Sequence, residues 1–137
     1  MEINIFVVLG IIVIHWIADF VFQDEKWALG KSKNWYDLIA HTYTYSLIWV
    51  GFAFIWMIFD INNASKIARL TLWFWPITFI AHTITDYFTS RIVSKRFAKG
   101  YYGSAIPNFG AFTIIGIDQV LHYIQLFGTY VLLNGTH

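Results

Sequence analysis

The sequence predicts an all-α fold: a polytopic integral membrane protein built as a four-helix bundle, with both termini on the non-cytoplasmic side. Three observations lead there. Mean hydropathy is +0.56 and only 12% of the 137 residues are charged, about half the ~25% usual for a soluble domain. Four apolar segments, 3–23, 37–59, 70–92 and 108–133, reach the roughly 20 helical residues that a hydrocarbon core of about 30 Å requires. Each segment also contains or adjoins a His/Asp pair spaced four residues apart: His15 with Asp19, Asp37 with His41, His82 with Asp86, and Asp118 with His122.

The first segment has no basic leader and no small-residue cleavage site, and its apolar run is interrupted by His15 and Asp19, so it reads as a retained helix and not a signal peptide. Asp24, Glu25, Lys26, Lys31 and Lys33 mark a polar loop after it, with Gly30 breaking any continuation. Segment two ends at Asp60, where a short polar connection runs to Lys66. In segment three Pro76 removes a backbone donor, which predicts a kink. The next connection runs from Arg91 through Lys95, Arg96, Lys99 and Gly100 to Pro107, a residue suited to the first turn of the last helix. Its stretch from Lys99 to Gly110, with Tyr101, Tyr102, Gly103 and Asn108, reads as an interfacial loop that could lid an entrance. Gly110 and Gly116 permit close helix packing.

Loop charge orients the segments. Connections one and three share a side and hold Lys26, Lys31, Lys33, Arg91, Lys95, Arg96 and Lys99, against Lys66 and Arg69 opposite. The positive-inside rule therefore places them in the cytoplasm. Seven tryptophans, Trp16, Trp27, Trp35, Trp49, Trp56, Trp73 and Trp75, fall mostly near segment ends, as an aromatic belt does. A net charge of +1 without an extended basic face speaks against nucleic acid as a partner. The absence of cysteine removes disulfides, thiolate metal sites and cysteine nucleophiles.

The His/Asp pairs carry the chemistry. Residues four apart share a helix face. Histidine precedes aspartate in the first and third pairs and follows it in the second and fourth, so alternating helix direction gives every pair the same polarity. The expectation is a carboxylate layer toward the cytoplasm and an imidazole layer about 6 Å deeper at 1.5 Å per residue. A charge at mid-membrane costs at least about 2.5–3.5 kcal/mol, so such groups face the interior and pair. Imidazole with carboxylate suits a divalent metal, Zn first, with Mn or Fe as alternatives. The reading is one or two ions held by a subset of His15, His82, His122, Asp19, Asp86 and Asp118. The remaining carboxylates act as general base or orient the ligands.

The function expected from this set is metal-dependent hydrolysis of a lipid-like or membrane-associated ester or phosphoester. The same residues would serve proton or metal-cation translocation, or a structural or partner-binding membrane module in which they fix helix register. Gln23 and Tyr45 extend the reactive faces as orienting candidates, while Gln119, rotated about 100° from Asp118, points to a neighbouring helix. Asp37 stands at a helix start, where a carboxylate is ordinary. Membrane lipids are the expected partners. A homo-oligomer is a further expectation, because four short helices barely enclose eight polar side chains.

The run from His15 through Asp19 to Gln23, followed by Trp27, Lys31 and His41, then His82 with Asp86 and Asp118-Gln119 with His122, resembles a family of small polytopic membrane proteins of unknown function from bacteria and their phages. Its pattern opens on a His, Asp, Gln helix and closes on Asp-Gln-x-x-His, and Asp37 lies outside it. The resemblance implies an integral membrane protein, in the bacterial inner membrane, with an intramembrane His/Asp cluster. A weaker similarity links the chain to membrane-bound metal-dependent hydrolases. By that analogy His15, Asp19, His41, His82, Asp86, Asp118 and His122 would be metal ligands or catalytic groups.

Overall fold

Three helices begin where a short polar side chain serves the amides that the first turn leaves unpaired. In the computed structural model, which describes residues 4–101 and 109–135, Asn4 Oδ1 accepts the Phe6 N–H at 2.9 Å and opens α1, Ile5–Trp16. The helix does not stop at Trp16. It widens into a π turn, Ile17–Val21, closed by the Phe22 N–H on the Ile17 carbonyl at 3.0 Å. Asp24 then caps a short helix, α2, Glu25–Gly30, by accepting the Lys26 and Trp27 amides. A loop was expected here; the cap and the helix-forming Lys26, Ala28 and Leu29 account for the difference in a segment too short to show periodicity.

Asn34 caps α3, Trp35–Phe59, accepting the Asp37 amide at 2.8 Å while its own side-chain amide donates to Asp37 Oδ2 at 2.7 Å. Gly30 permits this turn, since a Cβ there would overlap the Asp37 carboxylate. A 3₁₀ turn at Ile61–Asn63 leads into α4, Ala64–Ala98, which passes through Pro76 without interruption. It overruns the expected 70–92 at both ends: charged residues end an apolar window, but Ala, Lys, Arg and Leu remain good helix formers. The last helix is α5, Phe109–Gly135. No strand occurs among the described residues. Pro107, the centre of the proposed lid from Tyr102 to Asn108, and His137 lie outside them.

The long helices pack side by side, α3 on α4 and α4 on α5. Helix α1 and its π turn close against α3, α1 also touches α5, and α2 lies across α3. The interior so formed is polar. Among the most completely buried side chains are His15, His41, His82, His122, Asp86, Thr42, Thr78 and Ser46, alongside Tyr45, Leu38 and Leu126. Outward faces carry Phe6, Trp16, Phe54, Leu72, Trp73, Phe88 and Leu132, each more than half exposed. This inverts the usual arrangement, in which apolar residues fill the core. Two helical stretches, Trp35–Phe59 and Ile61–Ala98, are long and apolar enough to cross a membrane, and Ile5–Val21 is a shorter apolar one.

Apolar packing is confined largely to one end of the interior. Ile11, Ala18, Tyr45, Trp49 and Leu126 form a plug there, backed by Phe74 and Tyr130. Below it lie the histidines and acids.

Candidate metal centre

His41 enters the cluster from α3, one turn past Asp37, and its Nε2 has four polar neighbours. Asp86 Oδ2 lies at 3.0 Å, Asp19 Oδ1 at 3.3 Å, His82 Nε2 at 3.3 Å and Lys31 Nζ at 3.4 Å. His82, one helix over, places its Nε2 3.6 Å from Asp86 Oδ2 and 3.7 Å from Asp19 Oδ1. One imidazole nitrogen carries a single hydrogen or a single lone pair, so these distances describe a shared centre and not a set of separate pairs. Asp19 Oδ1 and Asp86 Oδ1 are buried with no hydrogen bond from the protein. Such atoms call for an explanation, and an ion is one of the usual ones.

The ring planes are held by stacking. His82 lies between Tyr45, with centroids 3.8 Å apart and planes within 8°, and His122 at 4.1 Å. His122 Nε2 faces Asp86 Oδ1 at 3.8 Å. Three residue sets bring ligand atoms close enough to hold an ion: Asp19, His41 and His82; His82, Asp86 and His122; and His15, Asp19 and His122. All of these side chains are buried.

His15 is engaged at both nitrogens, by the Tyr45 hydroxyl at Nδ1 and Gln119 Oε1 at Nε2, each at 2.8 Å. The Gln119 amide nitrogen donates to Asp19 Oδ2 at 3.1 Å and Asp118 Oδ2 at 3.2 Å. Two carboxylates therefore fix which end of the amide faces them, and Oε1 is left to accept from His15 Nε2–H. Neutral His15 then accepts from Tyr45 at Nδ1. The chain Tyr45–His15–Gln119 grips the outer oxygen of Asp19 while the inner oxygen faces His41. The π turn presents Asp19 at this point, 4.0 Å from His15 Nε2 and between two helices.

The four imidazoles of His15, His122, His82 and His41 form a run of neighbouring rings. Asp19 and Asp86 lie against His41 and His82, while Asp118 takes a hydrogen bond from Thr89 at 2.6 Å and faces His122 Nδ1 at 3.7 Å. Asp37 remains with Asn34. Lys31 takes the place beside His41 that the fourfold pattern would assign to Asp37. Its ammonium donates to Asp86 Oδ2 at 2.9 Å. Burial acts against the charge, but Asp86 and Asp19 outweigh it and raise the Lys31 pKa above its ordinary value. Loop charge alone places Lys31 in a polar connection; its membership, with Trp27 and His41, of the pattern that carries the family resemblance was the available signal. The Arg91 guanidinium holds this loop, stacking on Tyr87 at 3.8 Å and donating to the Lys31 carbonyl at 3.2 Å.

A cavity of about 580 Å³ reaches the cluster from the end of the molecule opposite the plug. Asp19, Asp118, Gln119 and Lys31 line it, and so does Gln23.

Fold and site together define an all-helical protein whose buried histidines and aspartates could hold a metal ion. The chain belongs to the family described as "Protein of unknown function (DUF3307)", whose model matches residues 5–136. No curated protein and no solved structure matches the chain.

Proposed function

We propose that this protein is a metal-dependent hydrolase of the membrane, acting on a phosphoester or ester of a lipid-like substrate. The carrying observation is the convergence of His41 Nε2, His82 Nε2, Asp19 Oδ1 and Asp86 Oδ2. Five of the six distances among these atoms, 3.0, 3.3, 3.3, 3.6 and 3.7 Å, lie around the separation of about 3.3–3.6 Å expected between ligands of a tetrahedral ion with bonds of about 2.0–2.2 Å. Charge supports a divalent ion. Asp19, Asp86 and Asp118 bring carboxylates that the single Lys31 ammonium offsets only in part, which favours a cation at the centre. Zn, Mn and Fe all suit such a donor set.

A divalent ion held there would polarise an ester oxygen and make a nearby water more acidic. The residues divide the remaining work. Asp118, on the cavity wall and steadied by Thr89, is placed to take the proton of an attacking water. Gln119 and His15 hold Asp19 in position. The polar interior and apolar exterior support four membrane-crossing segments. The loop charges support connections one and three in the cytoplasm, with both termini opposite, in a bacterial inner membrane.

Replacing His41 and His82 together by alanine should abolish metal uptake by the purified protein, read by elemental analysis after dialysis. Stoichiometric metal in that variant would refute the assignment. A second reading, cation translocation, draws on Thr78, Gln125 and Thr129, whose hydrogen bonds of 3.2 Å extend a polar line beyond the histidines. Ion flux in liposomes without turnover of any ester would favour it.

A further inference from the structure

Lys31 reaches the cluster from the short connection between α2 and α3, whereas His41, His82 and Asp86 come from the long helices. Its ammonium lies 2.9 Å from Asp86 Oδ2 and 3.4 Å from His41 Nε2, and both of these atoms belong to the set assigned above to the ion. An imidazole nitrogen offers a single lone pair, so once His41 Nε2 binds an ion it has nothing left for the ammonium. A divalent ion on the same two atoms would also stand beside a like charge, and in a buried site that repulsion is weakly screened. The ammonium and the ion therefore compete for the same ligand atoms.

The side chain has somewhere to go. It keeps 18% of its surface exposed and lines the cavity of about 580 Å³, where Gln23, Ser32 and Ser94 supply oxygens that can accept from an ammonium. Its backbone stays in place, because Arg91 donates to the Lys31 carbonyl at 3.2 Å, and a flexible four-carbon stem swings from that fixed point. The route inward leads past the same residue. Asp19 and Asp118 put carboxylates on the cavity wall, which draws cations toward the cluster, and Lys31 stands on the wall with them.

We propose that Lys31 gates the metal centre and sets its selectivity for divalent ions: its ammonium holds Asp86 and His41 as an internal cation, and a divalent ion arriving through the cavity displaces it toward Gln23, Ser32 and Ser94. The proposal rests on the metal-binding reading of the cluster and not on hydrolysis. A 2+ ion gains more from the Asp19 and Asp86 carboxylates than the ammonium it replaces. A monovalent cation brings no more charge than the lysine already does, so it has no means of entry.

The test uses the purified full chain in detergent, stripped by a chelator, with Zn²⁺ alone as the probe. Zn²⁺ should make Lys31 react faster with an acylating reagent, read on its peptide by mass spectrometry, while the exposed Lys26 and Lys33 keep their rates and Na⁺ has no effect. In titration against a competing chelator, Lys31→Met should bind Zn²⁺ about tenfold more tightly, and Lys31→Arg, which keeps the charge, should not. The labelling needs no variant, so it decides the matter even where Lys31→Met fails to fold. Unchanged labelling of Lys31 in Zn²⁺-bound protein, faster labelling with Na⁺, or equal or weaker Zn²⁺ affinity in a folded Lys31→Met protein would each overturn the gate and leave the metal centre standing. Failure of the unaltered and Lys31→Met proteins alike to take up Zn²⁺ would refute the metal centre, and the gate with it.

Discussion

At the scale of single residues, the cluster depends on side chains that carry no charge of their own. Gln119 joins three of its members, and its amide can serve His15, Asp19 and Asp118 only in one orientation. Gln119→Leu removes the partner of His15 Nε2–H and a donor from the carboxylates of Asp19 and Asp118, a loss of about 1–3 kcal/mol. The thermal midpoint in detergent should fall accordingly. Because the clamp on Asp19 is lost, metal affinity should drop about 10–100-fold, read by titration with a competing chelator. Much of this site was legible in the spacing of His15, Asp19, His82, Asp86, Asp118 and His122, since a histidine or aspartate in an apolar segment must find company. Lys31 stood in the resembling pattern, but its place beside the acids could not be read from spacing, because a lysine in a polar connection ordinarily lies in water. Asp37 matched the spacing, yet it is spent on Asn34, and spacing alone cannot distinguish an acid that looks inward from one that secures a helix start.

At the scale of elements, the connection between α1 and α3 does more than join them. Asp24, Gly30 and Asn34 fix a short helix whose end delivers Lys31 to the acids, and Arg91 secures the same turn from α4. Gly30→Ala should push Asp37 aside and cost about 1–3 kcal/mol by overpacking, seen as a lower unfolding midpoint. The two stretches long and apolar enough to cross a membrane, Trp35–Phe59 and Ile61–Ala98, could be read from hydropathy, since a bilayer's thickness sets a minimum length that composition reveals. Their ends could not, because α4 continues as a helix well past the point where apolar residues give out. The π turn at Ile17–Val21 left no mark in the sequence either. It needs only one extra residue per turn, and Ile, Ala, Asp, Phe and Val would sit equally well in a regular helix.

At the scale of the whole molecule, the helices assemble so that polar groups from segments far apart in sequence meet in one place. His15 and Gln119 are 104 residues apart and Asp19 and Gln119 are 100 apart, yet both pairs are hydrogen-bonded. That meeting was expected from the cost of leaving any one group alone in an apolar medium. Which groups would touch depended on side-chain partners such as Tyr45 and Thr89, which carry no spacing signal.

The inversion of inside and outside has a practical consequence. Urea unfolds a protein in proportion to the surface that opening newly wets, and here the greasy exterior would already be coated by detergent before any helix separates. The transition in urea should therefore be shallow for a chain of this size, with a slope well below that of a water-soluble domain of equal length. A steep transition would mean that a large apolar core lay hidden from detergent all along.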